Sequence, residues 1–142
     1  YISGDAFAKD WISWICNDVP DAPVLVTVGG VFHYFKENKV ITLLRMMGQF
    51  GNIEVVFDTV NKRGMSMMKK KYMKQVGHAD AQMFFYVDSA EELAAKIGGN
   101  VKVISEESYY RHIPRNGLNL STRLSMGVSD CLCMVKMIHL KL

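Results

Sequence analysis

The sequence predicts an α/β domain built on a mostly parallel sheet with one antiparallel strand near its C-terminus. Three observations predict it. The run Val24–Val28 is apolar on both faces and ends at Gly29-Gly30, as a strand covered on both sides does. Strand-like runs then alternate with stretches of helical spacing, the succession expected of β-α-β units. The last two strand-like runs, beginning at Val101 and at Cys131, read as joined without a helix, which turns the final strand against its neighbour.

The elements follow in order. Asp10–Cys16 reads as a short helix after an Asp5-Ala6-Phe7 turn, with Trp11, Trp14 and Ile15 on one face, and Pro20 and Pro23 stop it. After the Val24–Val28 strand, Lys36–Gln49 carries Val40, Leu43, Leu44 and Met47 at helical spacing and ends near Gly48 and Gly51. Ile53–Asp58 is a second strand leading into a helix over Arg63–Val76, with Met65, Met68, Tyr72 and Val76 aligned and Gly77 closing it. A loop through His78–Gln82 reaches the apolar patch Met83–Val87. Ser89-Ala90-Glu91-Glu92 then forms a capping box for a helix ending at Gly98-Gly99. Alternation from Val101 to Ser105 gives a third strand, and Cys131–Leu142 a fourth. Ser108–Asp130 between them is an insert.

Bulk composition narrows the function classes. A chain of 142 residues with 49% hydrophobic and 22% charged residues is one domain, 1–142, able to bury roughly two-thirds of its unfolded surface. The net charge of +3 comes partly from one cluster, Lys62, Arg63, Lys69, Lys70, Lys71 and Lys74. The rest is close to neutral, which argues against a nucleic-acid partner. Cys16, Cys131 and Cys133 make an odd set without a Cys-x-x-Cys pair, so reduced thiols, a cytoplasmic location and no metal site are expected. No apolar run approaches the ~18 residues that cross a bilayer, and no membrane association is expected.

Two motifs carry a resemblance. The stretch "PVLVTVGGVFHYF" from Pro23 to Phe35, followed by a helix and "NIEVVFDTV", is similar to the leucine carboxyl methyltransferase and tetracenomycin polyketide O-methyltransferase-like family of class I methyltransferases. There the fourth strand ends in a Gly-x-x-x-Tyr turn and the fifth in Phe-Asp; Gly30, Tyr34, Phe57 and Asp58 stand at those positions here. "ISGDAF" resembles the turn after the third strand, whose aspartate lies beside the cofactor's adenine. The resemblance implies a Rossmann-like sheet present from its fourth strand onward, lacking the N-terminal cofactor-binding strands, with S-adenosylmethionine as cofactor. It implies cofactor contacts by Asp5, Ala6, Gly29, Gly30 and Tyr34. One position departs: many members carry Glu where this chain has Gly29. The Gly-x-Gly-x-Gly loop of the superfamily has no counterpart among the 11 glycines.

The chemistry expected at the site is simple. The sulfonium cofactor supplies the electrophile, so the protein aligns an acceptor and, for a hydroxyl, removes its proton. His33 is the candidate base by position and intrinsic pKa, against the plainer reading of a turn histidine bonded to backbone. Tyr34 reads either as a ligand contact or as a packed aromatic, and Asp5 and Asp58 either as functional groups or as turn caps. Arg111 and His112 in the insert are candidates to hold an acidic acceptor, against a solvated loop. The expected activity is O-methylation of a small carboxyl or hydroxyl acceptor. The alternatives are a non-catalytic α/β interaction module and, on the lysine cluster, a nucleic-acid binder. A missing neighbour for the Val24–Val28 strand would leave an unpaired edge, covered by a second copy or by an N-terminal half.

Overall fold

The computed structural model describes residues 3–18, 20, 22–75 and 82–142, with the side chains of 71–75 excepted. Four strands form one sheet: β1 (Val24–Val28), β2 (Ile53–Val60), β3 (Lys102–Ser108) and β4 (Val135–Lys141). Their order is β1-β2-β4-β3. β1 pairs with β2 in parallel, while β4 runs antiparallel to both β2 and β3. The sheet is therefore mixed rather than mostly parallel. Three strands share a direction, but inserting the one reversed strand between β2 and β3 makes two of the three pairings antiparallel.

Among the described residues five helices accompany the sheet: α1 (Asp10–Asp18), α2 (Glu37–Gly48), α3 (Lys62–Gln75), α4 (Ala90–Ile97) and α5 (Leu120–Cys131), with a 3-10 turn at Phe32–Tyr34. The main core lies on one face of the sheet. Val55 and Phe57 of β2 stand opposite Leu140 and Ile138 of β4, and Val40, Leu44 and Met47 of α2, Leu93 and Ile97 of α4, and Ile12 of α1 cover them. Full burial of each such side chain contributes about 1.5–3 kcal/mol. Arg45 fastens α2 to α4 by donating to the carbonyls of Ile97 (2.7 Å) and Lys96, the open C-terminal end of α4. Ser89 caps the start of α4 by accepting the Glu92 N–H, and Gly98 leaves it at φ 80°, as the capping box and glycine pair predict.

The opposite face is open to solvent and mixes polar and apolar side chains, so β1 is covered on one side rather than on both. Glu54 pairs with His139 at 2.8 Å, and Leu25 beside them is 59% exposed. A small second core, Val60, Met65 and Met83, seats α3 against the end of β2. Gly64 is required there, because a Cβ would lie 2.5 Å from the Met134 carbonyl.

The apolar patch Met83–Val87 is held by its backbone, the Phe84 and Val87 N–H groups bonding to the carbonyls of His33 and Val60. Two expectations change. Within α1 it is Ile12 that is buried, whereas Trp14 faces solvent. The last two strands are joined by α5, so Cys131 closes a helix and Cys133, at φ 46°, turns the chain into β4. The two thiols do not share a strand face. Val76, Gly77 and the loop from His78 to Ala81 lie outside the described residues.

Candidate functional site

In open α/β sheets, ligands bind beyond the carboxyl ends of the parallel strands. At the end of β1 the chain makes Gly29-Gly30 and the 3-10 turn, and beside it lies a groove of about 630 Å³. Asp5, Ala6, Val28, Gly29 and Val31 form its rim, and Trp11, Leu43 and Met47 reach its apolar floor from α1 and α2. A Cβ on Gly29 would meet nothing within 4 Å among the described residues, so the backbone there is open to close approach.

The loop before α1 is fixed by its own hydrogen bonds. Asp5 Oδ1 accepts the Phe7 N–H at 2.9 Å, an Asx turn, and the Trp11 indole N–H donates to the Ala6 carbonyl at 2.9 Å. Phe7 packs edge-on against Phe35, with ring centroids 4.6 Å apart. Among the described residues neither Asp5 Oδ2 nor the Ala6 N–H has a hydrogen-bond partner. A carboxylate oxygen and a backbone donor thus stand together on the groove's rim.

The Gly29-Gly30 turn is latched from the neighbouring strand. Asp58, at the end of β2, accepts the Gly30 N–H through Oδ1 at 2.6 Å, and its Oδ2 faces His33 Nε2 at 3.4 Å. Burial alone would raise the Asp58 pKa, but the hydrogen bonds from His33 and the Gly30 N–H, with the histidine's charge, outweigh it and hold the group below its ordinary 3.8. Gly30 sits at φ 68°, which glycine adopts without strain. Phe32, Phe57 and Phe85 stack beneath the turn with centroids 5.2 to 6.4 Å apart.

The structure brings Asp5, Ala6 and Gly29 to one groove and keeps the other candidates apart from it. Gly30 follows directly but bonds to Asp58. His33 is 5% exposed, and its Nδ1 is buried with no partner among the described residues. Its carbonyl accepts the Phe84 and Phe85 N–H groups. Tyr34, the last residue of the 3-10 turn, is half-exposed and does not line the groove. Arg111 and His112 follow β3, three strand spacings or about 14 Å across the sheet. His112 pairs there with Glu107 at 2.8 Å in solvent.

Sequence reasoning missed the floor of the groove. Trp11, Leu43 and Met47 carry only a core-like signal, and their shared pocket arises when α1 and α2 pack side by side. It also missed the Asp58–Gly30 latch, because partners 28 residues apart leave no local signature.

No protein-family model matches the sequence, and no curated protein matches it. The fold is similar to that of a SAM-dependent methyltransferase from Anabaena variabilis ATCC 29413, with a TM-score of 0.52 and 12% identity, over 99% of this chain and 57% of the other. The chain spans little more than half the length of that methyltransferase. At that identity the likeness establishes a shared methyltransferase fold and nothing finer.

Proposed function

We propose that this chain is the adenine side and acceptor side of an S-adenosylmethionine-dependent O-methyltransferase of the leucine carboxyl and polyketide O-methyltransferase-like kind. The observation that carries the reading is the convergence of Asp5, Ala6 and Gly29 on one groove at the carboxyl end of β1. The shared methyltransferase fold supports it.

The unengaged pair on the rim fits an adenine. Asp5 Oδ2 would accept from the exocyclic amine while the Ala6 N–H donates to the adjacent ring nitrogen, a donor–acceptor match to that edge of the base. The groove's apolar floor suits the ring face, and the cofactor, when bound, supplies an electrophilic methyl group. Gly29 lets the backbone approach, and Asp58 holds the turn that carries Gly29 and Tyr34. The burial of His33 supports a small-molecule carboxyl acceptor over a hydroxyl one. A carboxylate arrives deprotonated, and a histidine turned inward onto Asp58 is poorly placed to remove a proton. Arg111 and His112 enter this reading only if the 109–119 loop moves toward β1.

Isothermal titration of S-adenosylhomocysteine tests the proposal. The protein should bind it, and Asp5→Ala should bind about 10–100-fold more weakly, since a hydrogen bond to a charged group contributes about 1.5–3 kcal/mol. The melting midpoint should fall by no more than about 3 °C, because Asp5 is exposed and the variant loses only the Asx-turn bond to the Phe7 N–H. No binding by the wild-type protein extended through its N-terminal half would sink the reading.

One observation favours a second reading, a non-catalytic interaction module working in the cytoplasm. β1 has one neighbour, β2, among the described residues, so its outer edge is free to pair with a second copy or with the N-terminal half of a longer chain. Hydrogen exchange separates the cases. Slow exchange across 24–28 only at high protein concentration supports a second copy, and protection in a dilute monomer excludes it.

A further inference from the structure

Helix α5 displays a row of apolar side chains to solvent. Leu120, Leu124, Val128 and Leu132 recur every fourth residue, on one side of the helix, and are 78%, 69%, 48% and 43% exposed. Only Met126 and Ser129 are buried. Both ends of the helix are fixed. Asn119 Oδ1 accepts the Thr122 N–H at 2.8 Å. Asp130 accepts from Arg115 at 3.0 Å and from the Tyr110 N–H at 3.2 Å, tying the last turn to the preceding loop. The row is held in place with nothing over it among the described residues, and an exposed apolar row of this kind marks a contact surface.

A shallow groove of about 470 Å³ runs beside the row. Gly127 opens a notch in it, since a Cβ there would meet only Arg115 Nη1 at 3.7 Å. Arg115 and Arg123 line the groove, and no carboxylate does. Asp130 neutralises Arg115, while Arg123 has no ion pair among the described residues. Across 109–132 the charged groups are Arg111, Arg115, Arg123 and that one aspartate, with His112 beside them. A second copy docked here would bring another unpaired Arg123 and no unpaired carboxylate from 109–132 to meet it. A bilayer would meet a notched helix with a single free cation on it.

We propose that α5 is the docking site for an acidic amphipathic segment of a partner protein. Its apolar residues, at helical spacing, lie along Leu120 and Leu124, one of them enters the notch at Gly127, and an Asp or Glu at its flank meets Arg123. Apolar contact supplies affinity, and the arginine selects the sign of the partner's charge. This surface is separate from the groove at β1 and does not rest on the methyltransferase reading.

The test is selection from an unbiased peptide-display library on the whole protein, followed by fluorescence anisotropy with the most enriched peptide. Enriched peptides should share apolar residues three or four apart flanked by Asp or Glu. L120S/L124S should weaken binding at least about tenfold, and R123E about fivefold with a weaker salt dependence. Both variants change exposed residues and should keep the wild-type melting midpoint. Enrichment of no such pattern, or binding unmoved by L120S/L124S, overturns the proposal. So does a monomer–dimer equilibrium abolished by L120S/L124S, which assigns the face to a second copy. Cosedimentation with phosphatidylglycerol vesicles abolished by the same variant assigns it to a membrane.

Discussion

Replacing Asp58 with alanine tests whether the Gly29-Gly30 turn is held from β2. The substitution removes two contacts of unequal weight. The bond from the Gly30 N–H is short and charge-assisted, 2.6 Å, but Gly30 is exposed, so water takes over that donor and the loss is about 1 kcal/mol. The His33 contact is long, 3.4 Å, and weak in itself. Its removal nevertheless leaves both ring nitrogens of a buried histidine without a protein partner, because Nδ1 has none among the described residues already. An unsatisfied buried polar group costs about 1–3 kcal/mol, so Asp58→Ala should lose about 2–4 kcal/mol in total. At about 2.1 cal/mol/K per residue the unfolding entropy of a chain this size is about 0.3 kcal/mol/K, and the midpoint should fall by about 7–13 °C.

Asp58→Asn keeps an oxygen for the Gly30 N–H and should lose about half as much. The pH dependence has a definite sign. Because the folded-state pKa of Asp58 lies below 3.8, its contribution is complete above that value and fades as the pH falls through the folded-state value. The gap between wild type and Asp58→Ala should therefore be constant near neutrality and narrow in acid. Thermal melts by circular dichroism from pH 3 to 8 measure all three quantities. An alanine variant within about 0.5 kcal/mol of wild type at pH 7, or a gap that widens in acid, would refute the reasoning.

Three further outcomes follow from the packing. Gly64→Ala should destabilise by about 1–3 kcal/mol in urea unfolding although it improves helix propensity by about 1 kcal/mol, since the new methyl meets the Met134 carbonyl at 2.5 Å; a gain in stability would contradict that contact. Ser89→Ala should cost about 1 kcal/mol by uncapping α4, and a change under about 0.3 kcal/mol would show the cap is replaced. Buried Lys136 donates to Glu106 and to the Asp88 carbonyl, while Glu106 also accepts the Ala90 N–H. Lys136→Met should then cost about 2–4 kcal/mol, and adding Glu106→Gln should cost much less than the two singles summed. Strict additivity would deny the coupling.

What was legible in the sequence follows physical locality. β1, β2, α2 and α4 announce themselves because an apolar run, a 3.6-residue period or a capping serine acts within a few residues. The boundaries of α4 are right to the residue because Ser89 and Gly98 act on their own backbone. α5 escaped because Ser121, Thr122, Ser125, Gly127 and Ser129 give it low helix propensity and its apolar row faces water instead of a core. Missing α5 also turned a helix-linked crossing into an apparent hairpin. At the candidate site Asp5-Ala6 and Gly29-Gly30 were legible as turns at the ends of elements, while their reading as cofactor contacts came from the family resemblance. The floor was not, because α1 and α2 form it only by packing together.

Strand order ties the rim to the sheet's edge. β1 lies at one end of β1-β2-β4-β3, and Val26, Thr27 and Val28 of that strand line the same groove as Asp5 and Gly29. Any strand that paired with the free side of β1 in parallel would end beside Gly29, and the loop leaving it would cross the open side of the groove. A ligand held by Asp5 and Ala6 would then touch both partners and be bound more tightly by the pair than by this chain alone. Linkage makes that reciprocal: such a ligand must strengthen the pairing by the factor by which the pairing strengthens the ligand. If a ligand binds at Asp5-Ala6, its affinity and the pairing of the β1 edge, which has β2 as its one neighbour among the described residues, would be coupled in this way.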